Sequence, residues 1–161
     1  MQSLRHPPSP SRRWTRRLSF LARLALAGTW CWAGCAKLLD QRASVQAVRA
    51  FRVLPEPWVE PFAYGLPALE IGAAVLLLAG TGGRLGAVLS SALLVVFTIG
   101  IAQAWARGLS IDCGCFGGGG EVEPAEAHYP TELARDFGLL AVSLWLSLRR
   151  LPRAAAASGS F

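Results

Sequence analysis

Long uncharged stretches alternate with short polar ones along this chain. Leu85 to Ala106 carries no charge at all and is bracketed by Arg84 and Arg107. As a helix it is roughly 33 Å long, enough to cross a hydrocarbon core of about 30 Å. Pro61 to Gly80 carries one charge, Glu70, and Leu18 to Leu39 carries Arg23 and, near its end, Lys37. A fourth run, Phe137 to Leu148, is uncharged but short. It reaches spanning length only with Glu132, Arg135 and Asp136 at an interfacial or bundle-facing end. The pattern predicts an all-α, polytopic membrane protein, a four-helix bundle with spans at about 18–39, 61–80, 85–106 and 132–148. These lie in a membrane domain of residues 18–150, between a basic tail (1–17) and a low-information tail (151–161) expected to be disordered.

Two segments qualify this outline. Basic residues at 12, 13, 16 and 17, followed by an apolar stretch and Ala25-Leu26-Ala27, have the outline of a cleavable signal. The apolar segment runs on through Trp30, Trp32 and Ala33 to Leu39, further than such a signal needs, so the first helix is read as uncleaved. In Gln41 to Leu54, Val45, Ala47, Val48, Phe51 and Leu54 fall at near-helical spacing among Arg42, Arg49 and Arg52. That spacing suits a short amphipathic helix in the membrane interface, ended by Pro55 and Pro57, and an irregular connector is the alternative.

Composition supports a membrane class: 53% of the 161 residues are hydrophobic and 16% charged, against about 25% charged in a soluble domain. The net charge of +6 would ordinarily suggest a nucleic-acid surface. Its placement says otherwise. The segments 1–17, 81–84 and 149–161 hold nine arginines and no acid, whereas 40–60 and 107–131 hold four arginines and seven acids. By the positive-inside rule both termini are cytoplasmic and both long loops extracytoplasmic, in a multi-pass protein of the cell membrane. The basic excess is a topology signal, and nucleic acid is not an expected partner.

The candidate chemistry lies in Ile111-Asp112-Cys113-Gly114-Cys115-Phe116-Gly117 and the glycines that follow. Cys113 and Cys115 fall on the extracytoplasmic side, where disulfides persist. Such a pair can cycle between dithiol and disulfide or exchange with a partner through a mixed disulfide. Gly114 permits the tight turn that direct bonding would need, and a purely structural pair is the competing reading. Cys31 and Cys35, four apart on one helix face, are too far apart to bond each other without strain. Either one of them meets Cys113 or Cys115 as a relay into the membrane, or both are small, buried, inert packing residues.

Glu70 is costly inside a span and is expected to face the bundle, within reach of Arg23, as an ion pair or a proton relay. Lys37, Asp40, Arg135 and Asp136 are expected to cluster at the outer ends of spans one and four. Metal is not expected: Cys113, Cys115 and His128 match no common zinc spacing and lack a fourth ligand. With the only histidines at 6 and 128, a bis-His haem between spans is excluded.

The chain resembles the MauE family of methylamine-utilisation proteins, among DoxX-like four-span membrane proteins. The resemblance rests on Ala33-Gly34 with Lys37-Leu38 and Asp40, Leu54-Pro55, Leu66-Pro67-Ala68-Leu69-Glu70, Arg107-Gly108 and, most specifically, Cys113-Gly114-Cys115-Phe116-Gly117. Cys31 and Cys35 stand outside the pattern. The resemblance implies a four-helix bundle that helps to mature an extracytoplasmic methylamine dehydrogenase subunit, beside a thioredoxin-fold partner that forms its disulfides. The expected function is thus a membrane component of thiol–disulfide or electron transfer. Cys113 and Cys115 are its redox pair, supported by Gly114, Phe116, Gly117, Glu70, Arg23 and Lys37, with a membrane quinone as a possible electron carrier. The alternatives are a non-catalytic scaffold for an extracytoplasmic enzyme and a DoxX-like subunit of a quinone-linked oxidoreductase.

Overall fold

A computed structural model of the chain describes residues 10–79, 82–114 and 118–148. Among them are five α-helices and one two-stranded ribbon, in the order α1 (Pro10–Leu39), α2 (Gln41–Ala50), α3 (Glu56–Leu78), α4 (Gly83–Ala106), β1 (Ile111–Asp112), β2 (Gly120–Glu121), a 3-10 turn (Pro124–Glu126) and α5 (Tyr129–Leu148). The expected tail at 151–161 lies outside the described residues, as do Cys115, Phe116 and Gly117.

Three helices, α1, α3 and α4, are long and apolar enough to cross a membrane. At 24 residues, α4 is about 36 Å long, and α1, at 30, about 45 Å, so α1 outruns a hydrocarbon core. Helix α1 begins at Pro10, inside the segment expected to be a basic tail. Helix α3 begins at Glu56, ahead of the expected start at Pro61, because Pro57 suits a first helical turn where no intrahelical N–H partner is needed. Pro61 and Pro67 lie within it. Helix α5, with Glu132, Arg135 and Asp136 in its first two turns, is 20 residues long and about 30 Å, and does not join the three by composition.

The expected amphipathic segment is helical over Gln41–Ala50 only. Asp40 starts α2, its Oδ1 accepting from the Ala43 N–H at 3.0 Å. Ser44, Ala47 and Ala50 form its buried stripe, at the three-residue spacing of one helix face. The chain then leaves the helix, with Arg52 at φ +51°, before either proline is reached.

Small residues let the long helices close on one another. A Cβ on Gly34 would lie 2.7 Å from Ile71 Cγ1 and 3.2 Å from Pro67 O, which fixes the offset of α1 against α3. A Cβ on Gly86 would lie 2.5 Å from Leu77 N, so α3 and α4 touch backbone to backbone. Between α4 and α5, Ser143 Oγ donates to Ala87 O at 2.9 Å and lies 3.0 Å from Ser91 Oγ, while Trp30 Nε1 donates to Ser90 Oγ at 2.7 Å. Leu26, Trp30, Leu66, Leu77, Leu94 and Leu146 belong to the main buried cluster. Leu69, Val75, Leu85, Val88, Val96 and Ile99 are exposed on α3 and α4, an arrangement suited to a lipid environment and costly in water. The all-helical prediction omitted the ribbon. Ile111 pairs with Glu121 and Asp112 with Gly120, closing the segment between α4 and α5 into a hairpin.

Candidate functional site

The hairpin sits at the end of the bundle where α1 and α4 finish and α3 and α5 begin. A second buried cluster supports it, with Ala50 from α2, Ile101 and Ala104 from α4, Ile111 and Cys113 from the hairpin, and Tyr129 from α5. Tyr129 holds the strand from below: its hydroxyl accepts from the Ile111 N–H at 3.0 Å and donates to Leu109 O, while its ring stacks on Trp105. Asp112 turns the chain, its Oδ1 accepting from the Gly114 N–H at 3.0 Å. Gly114 has φ +64° and Gly119 φ +108°, conformations that exclude ordinary side chains. Cβ atoms there would fall 3.0 Å and 2.6 Å from Ala47 Cβ, so the loop rests directly on α2.

Arg107, just past α4, anchors the other side. Its Nη1 reaches Phe51 O and Arg52 O at 3.3 Å each and Gln103 Oε1 at 2.9 Å. Gln103 Nε2 donates to Phe51 O at 3.2 Å, and the Arg52–Glu121 pair at 2.7 Å closes the hairpin onto the α2–α3 connection.

Within this frame Cys113 is 9% exposed. Ligand atoms of Asp112, Cys113 and Glu132 lie within 4.8 Å of one another, and Arg135 Nη2 is 3.9 Å from the Cys113 sulfur. The Glu132 carboxyl contacts the side chain and backbone of Cys113, while its Oε2 is buried without a hydrogen-bond partner. Sequence reasoning gave Glu132 only a place at a helix end. It faces Cys113 because α5, entered at Tyr129, packs back beneath the hairpin. Two carboxylates and a sulfur could in principle hold a cation, but the Arg135 guanidinium beside the sulfur opposes a second positive charge there. His128, the other ligand weighed from the sequence, sits with Nδ1 2.6 Å from Glu126 O.

The remaining candidates are placed differently from expectation. Glu70, fully buried, pairs with Lys37 at 2.8 Å and not with Arg23. The offset set by Gly34 brings Glu70 beside the last turns of α1, whereas Arg23 lies roughly 21 Å back along that helix. The Arg23 guanidinium lies against Gly83 at the opposite end of the bundle, with its Nε buried and unpartnered. The expected cluster of Lys37, Asp40, Arg135 and Asp136 is thereby divided. Lys37 faces Glu70, Asp40 caps α2, and Arg135 pairs with Asp136 at 3.0 Å.

Cys31 and Cys35 are free and exposed, neighbours one turn apart on α1. They are not the buried packing residues that one reading expected, and neither is bonded to Cys113. A partnership of either with Cys115 falls outside the described residues.

Comparison with known proteins converges on one family. The model of the family described as methylamine utilisation protein MauE matches residues 15–149. The methylamine utilization protein MauE of Methylophilus methylotrophus is 36% identical over 99 residues, covering 61% of this chain and 52% of that protein. That of Methylorubrum extorquens is 49% identical over 73 residues (45% and 39%), and that of Paracoccus denitrificans 38% over 107 residues (66% and 54%). The matches thus span about half of the relatives' own length, or less. No solved structure matches.

Proposed function

This chain belongs to the MauE family of methylamine utilisation proteins, and from that premise we propose that it is a membrane component of extracytoplasmic thiol–disulfide exchange. In this reading α5 crosses the membrane as a fourth span, both termini are cytoplasmic, and the hairpin faces outward. Cys113 and Cys115 are the redox pair. Oxidation of the two thiols joins their sulfurs and releases two electrons and two protons, which reduce a lipid-soluble quinone to its quinol. A thiolate of a thioredoxin-fold partner then attacks one sulfur, giving a mixed disulfide and freeing the other cysteine. The partner's second thiol resolves it, leaving the partner oxidised and the pair reduced. The partner in turn supplies disulfides to a maturing extracytoplasmic protein.

The observation that carries the proposal is the setting of Cys113: a thiol of a Cys-Gly-Cys segment, touched by the Glu132 carboxyl, a candidate proton acceptor, with the Arg135 guanidinium 3.9 Å from its sulfur. Phe116 and Gly117 complete that segment in sequence, and the Lys37–Glu70 pair supports the bundle beneath it.

The test is to follow thiol state in membranes of cells that carry the full chain. Single Cys113→Ser and Cys115→Ser variants are expected to abolish oxidation of the client, read by alkylation and gel shift, and one of them to trap a mixed disulfide. Full client oxidation in the double variant overturns the proposal. It would favour a non-catalytic scaffold for an extracytoplasmic enzyme, the reading that the burial of Cys113 supports. Co-purification of a quinol-oxidising partner would favour a DoxX-like subunit of a quinone-linked oxidoreductase.

A further inference from the structure

Between α2 and the helices α3 and α4 lies a cavity of about 360 Å³, within the range of about 300–1,000 Å³ found for small-molecule sites. Helix α2 roofs it with Ala47 and Phe51, and Phe62 of α3 and Phe97 of α4 form its walls. Val96 and Ile99 line it and are also exposed on the outside of α4, so its mouth opens sideways between apolar helices. A ligand would enter from a lipid phase.

The polar groups on this wall are few and informative. Gln103 is committed at both ends, to Phe51 O and to Arg107. Lys37, 6% exposed, has three N–H donors; its Nζ donates to Glu70 Oε1 and lies 5.9 Å from the centroid of the Phe97 ring. Ser44, 5% exposed, has its hydroxyl buried without a partner. Both line the cavity. A buried donor left without an acceptor is destabilising, so the cavity suits an apolar molecule that bears acceptors. An acyl chain satisfies neither group. A planar ring with a carbonyl on each side can satisfy both while filling the space among three phenylalanines.

We infer that this cavity binds a lipid-soluble quinone, its ring among Phe51, Phe62 and Phe97 and its carbonyl oxygens accepting hydrogen bonds from Lys37 and Ser44. The choice of a quinone among apolar dicarbonyls rests on the thiol–disulfide function proposed above, since Cys113 lies on the same cavity wall.

Ubiquinone-2 titrated into the full chain in phosphatidylcholine nanodiscs tests this. Trp30 stands 6.0 Å from the Phe97 ring and reports binding by quenching of its fluorescence. Saturable quenching is expected, undiminished by geraniol or oleate. Ser44→Ala, which removes an unpaired hydroxyl and should fold as well as the parent, is expected to weaken binding at least fivefold. Gly100→Leu, which fills the cavity beside Phe51, is expected to abolish it. Unsaturable quenching, equal competition by oleate, or parental affinity in both variants overturns the inference, the second of these marking an acyl-chain groove. The titration is read beside the client-oxidation assay, so that the two proposals fail separately. Saturable binding by a chain whose Cys113 and Cys115 prove dispensable for client oxidation upholds the site while the exchange function falls. Active thiols with no quinone binding overturn the site and leave exchange with the partner standing.

Discussion

Lys37 and Glu70 form the most consequential side-chain contact in the bundle. Removing one partner of a buried pair strands the other, at a cost of about 3–5 kcal/mol. Lys37→Met alone is therefore expected to lower the thermal midpoint of the detergent-solubilised protein sharply. Lys37→Met with Glu70→Leu, which removes both charges, is expected to recover most of it. Melting curves of the three proteins check this, and equal loss in the single and double variants would show that the pair adds no such penalty. At Gly114, an alanine must adopt φ +64°, at about 1–2 kcal/mol, and meets Ala47 at 3.0 Å. Gly114→Ala is expected to loosen the loop locally, seen as faster hydrogen exchange at the Ile111 amide that Tyr129 holds. Unchanged protection there would mean that the strand is set by Tyr129 alone.

At the scale of elements, close contact between α3 and α4 depends on Gly86. A methyl group there would collide with the backbone of Leu77, and overpacking of this kind costs about 1–3 kcal/mol. Gly86→Ala is expected to lower the melting midpoint, while Gly72→Ala and Gly138→Ala, whose added methyls meet nothing, leave it unmoved or raise it. The helices themselves were legible because a span leaves a one-dimensional trace, a run of apolar residues between charges. Helix α2 was one of two readings of its segment, and of the apolar residues that suggested it only Ala47 belongs to the buried stripe, beside Ser44 and Ala50. What the sequence could not disclose was how far each helix slides against its neighbour. Depth counted along a run made Arg23 a plausible partner for Glu70. The offset depends on a glycine, Gly34, meeting Pro67 and Ile71 on another helix. The cysteines of the loop were equally visible, whereas Glu132 reaches Cys113 only through packing of α5 under the hairpin, a non-local contact with no mark in local spacing. The ribbon, with two residues in each strand, is too short to carry an alternating pattern.

For the whole molecule, the arginine distribution makes a prediction independent of any side-chain contact. Green fluorescent protein fused after Phe161 is expected to fluoresce, and alkaline phosphatase at the same point to be inactive. Alkaline phosphatase joined after Glu121 is expected to be active. An active phosphatase at the C-terminus would remove α5 from the set of spans. The Lys37–Glu70 pair also bears on how such a chain is made. Each of these charges is brought to the bilayer on a different helix, and a lone charge in the interior of an inserting helix, as Glu70 is in α3, costs about 3 kcal/mol. Lys37 lies in the last turn of α1, and all of α2 and more than half of α3 must follow before Glu70 is reached, so α1 is complete before its partner is made. The cation is therefore made before the buried acid that it neutralises.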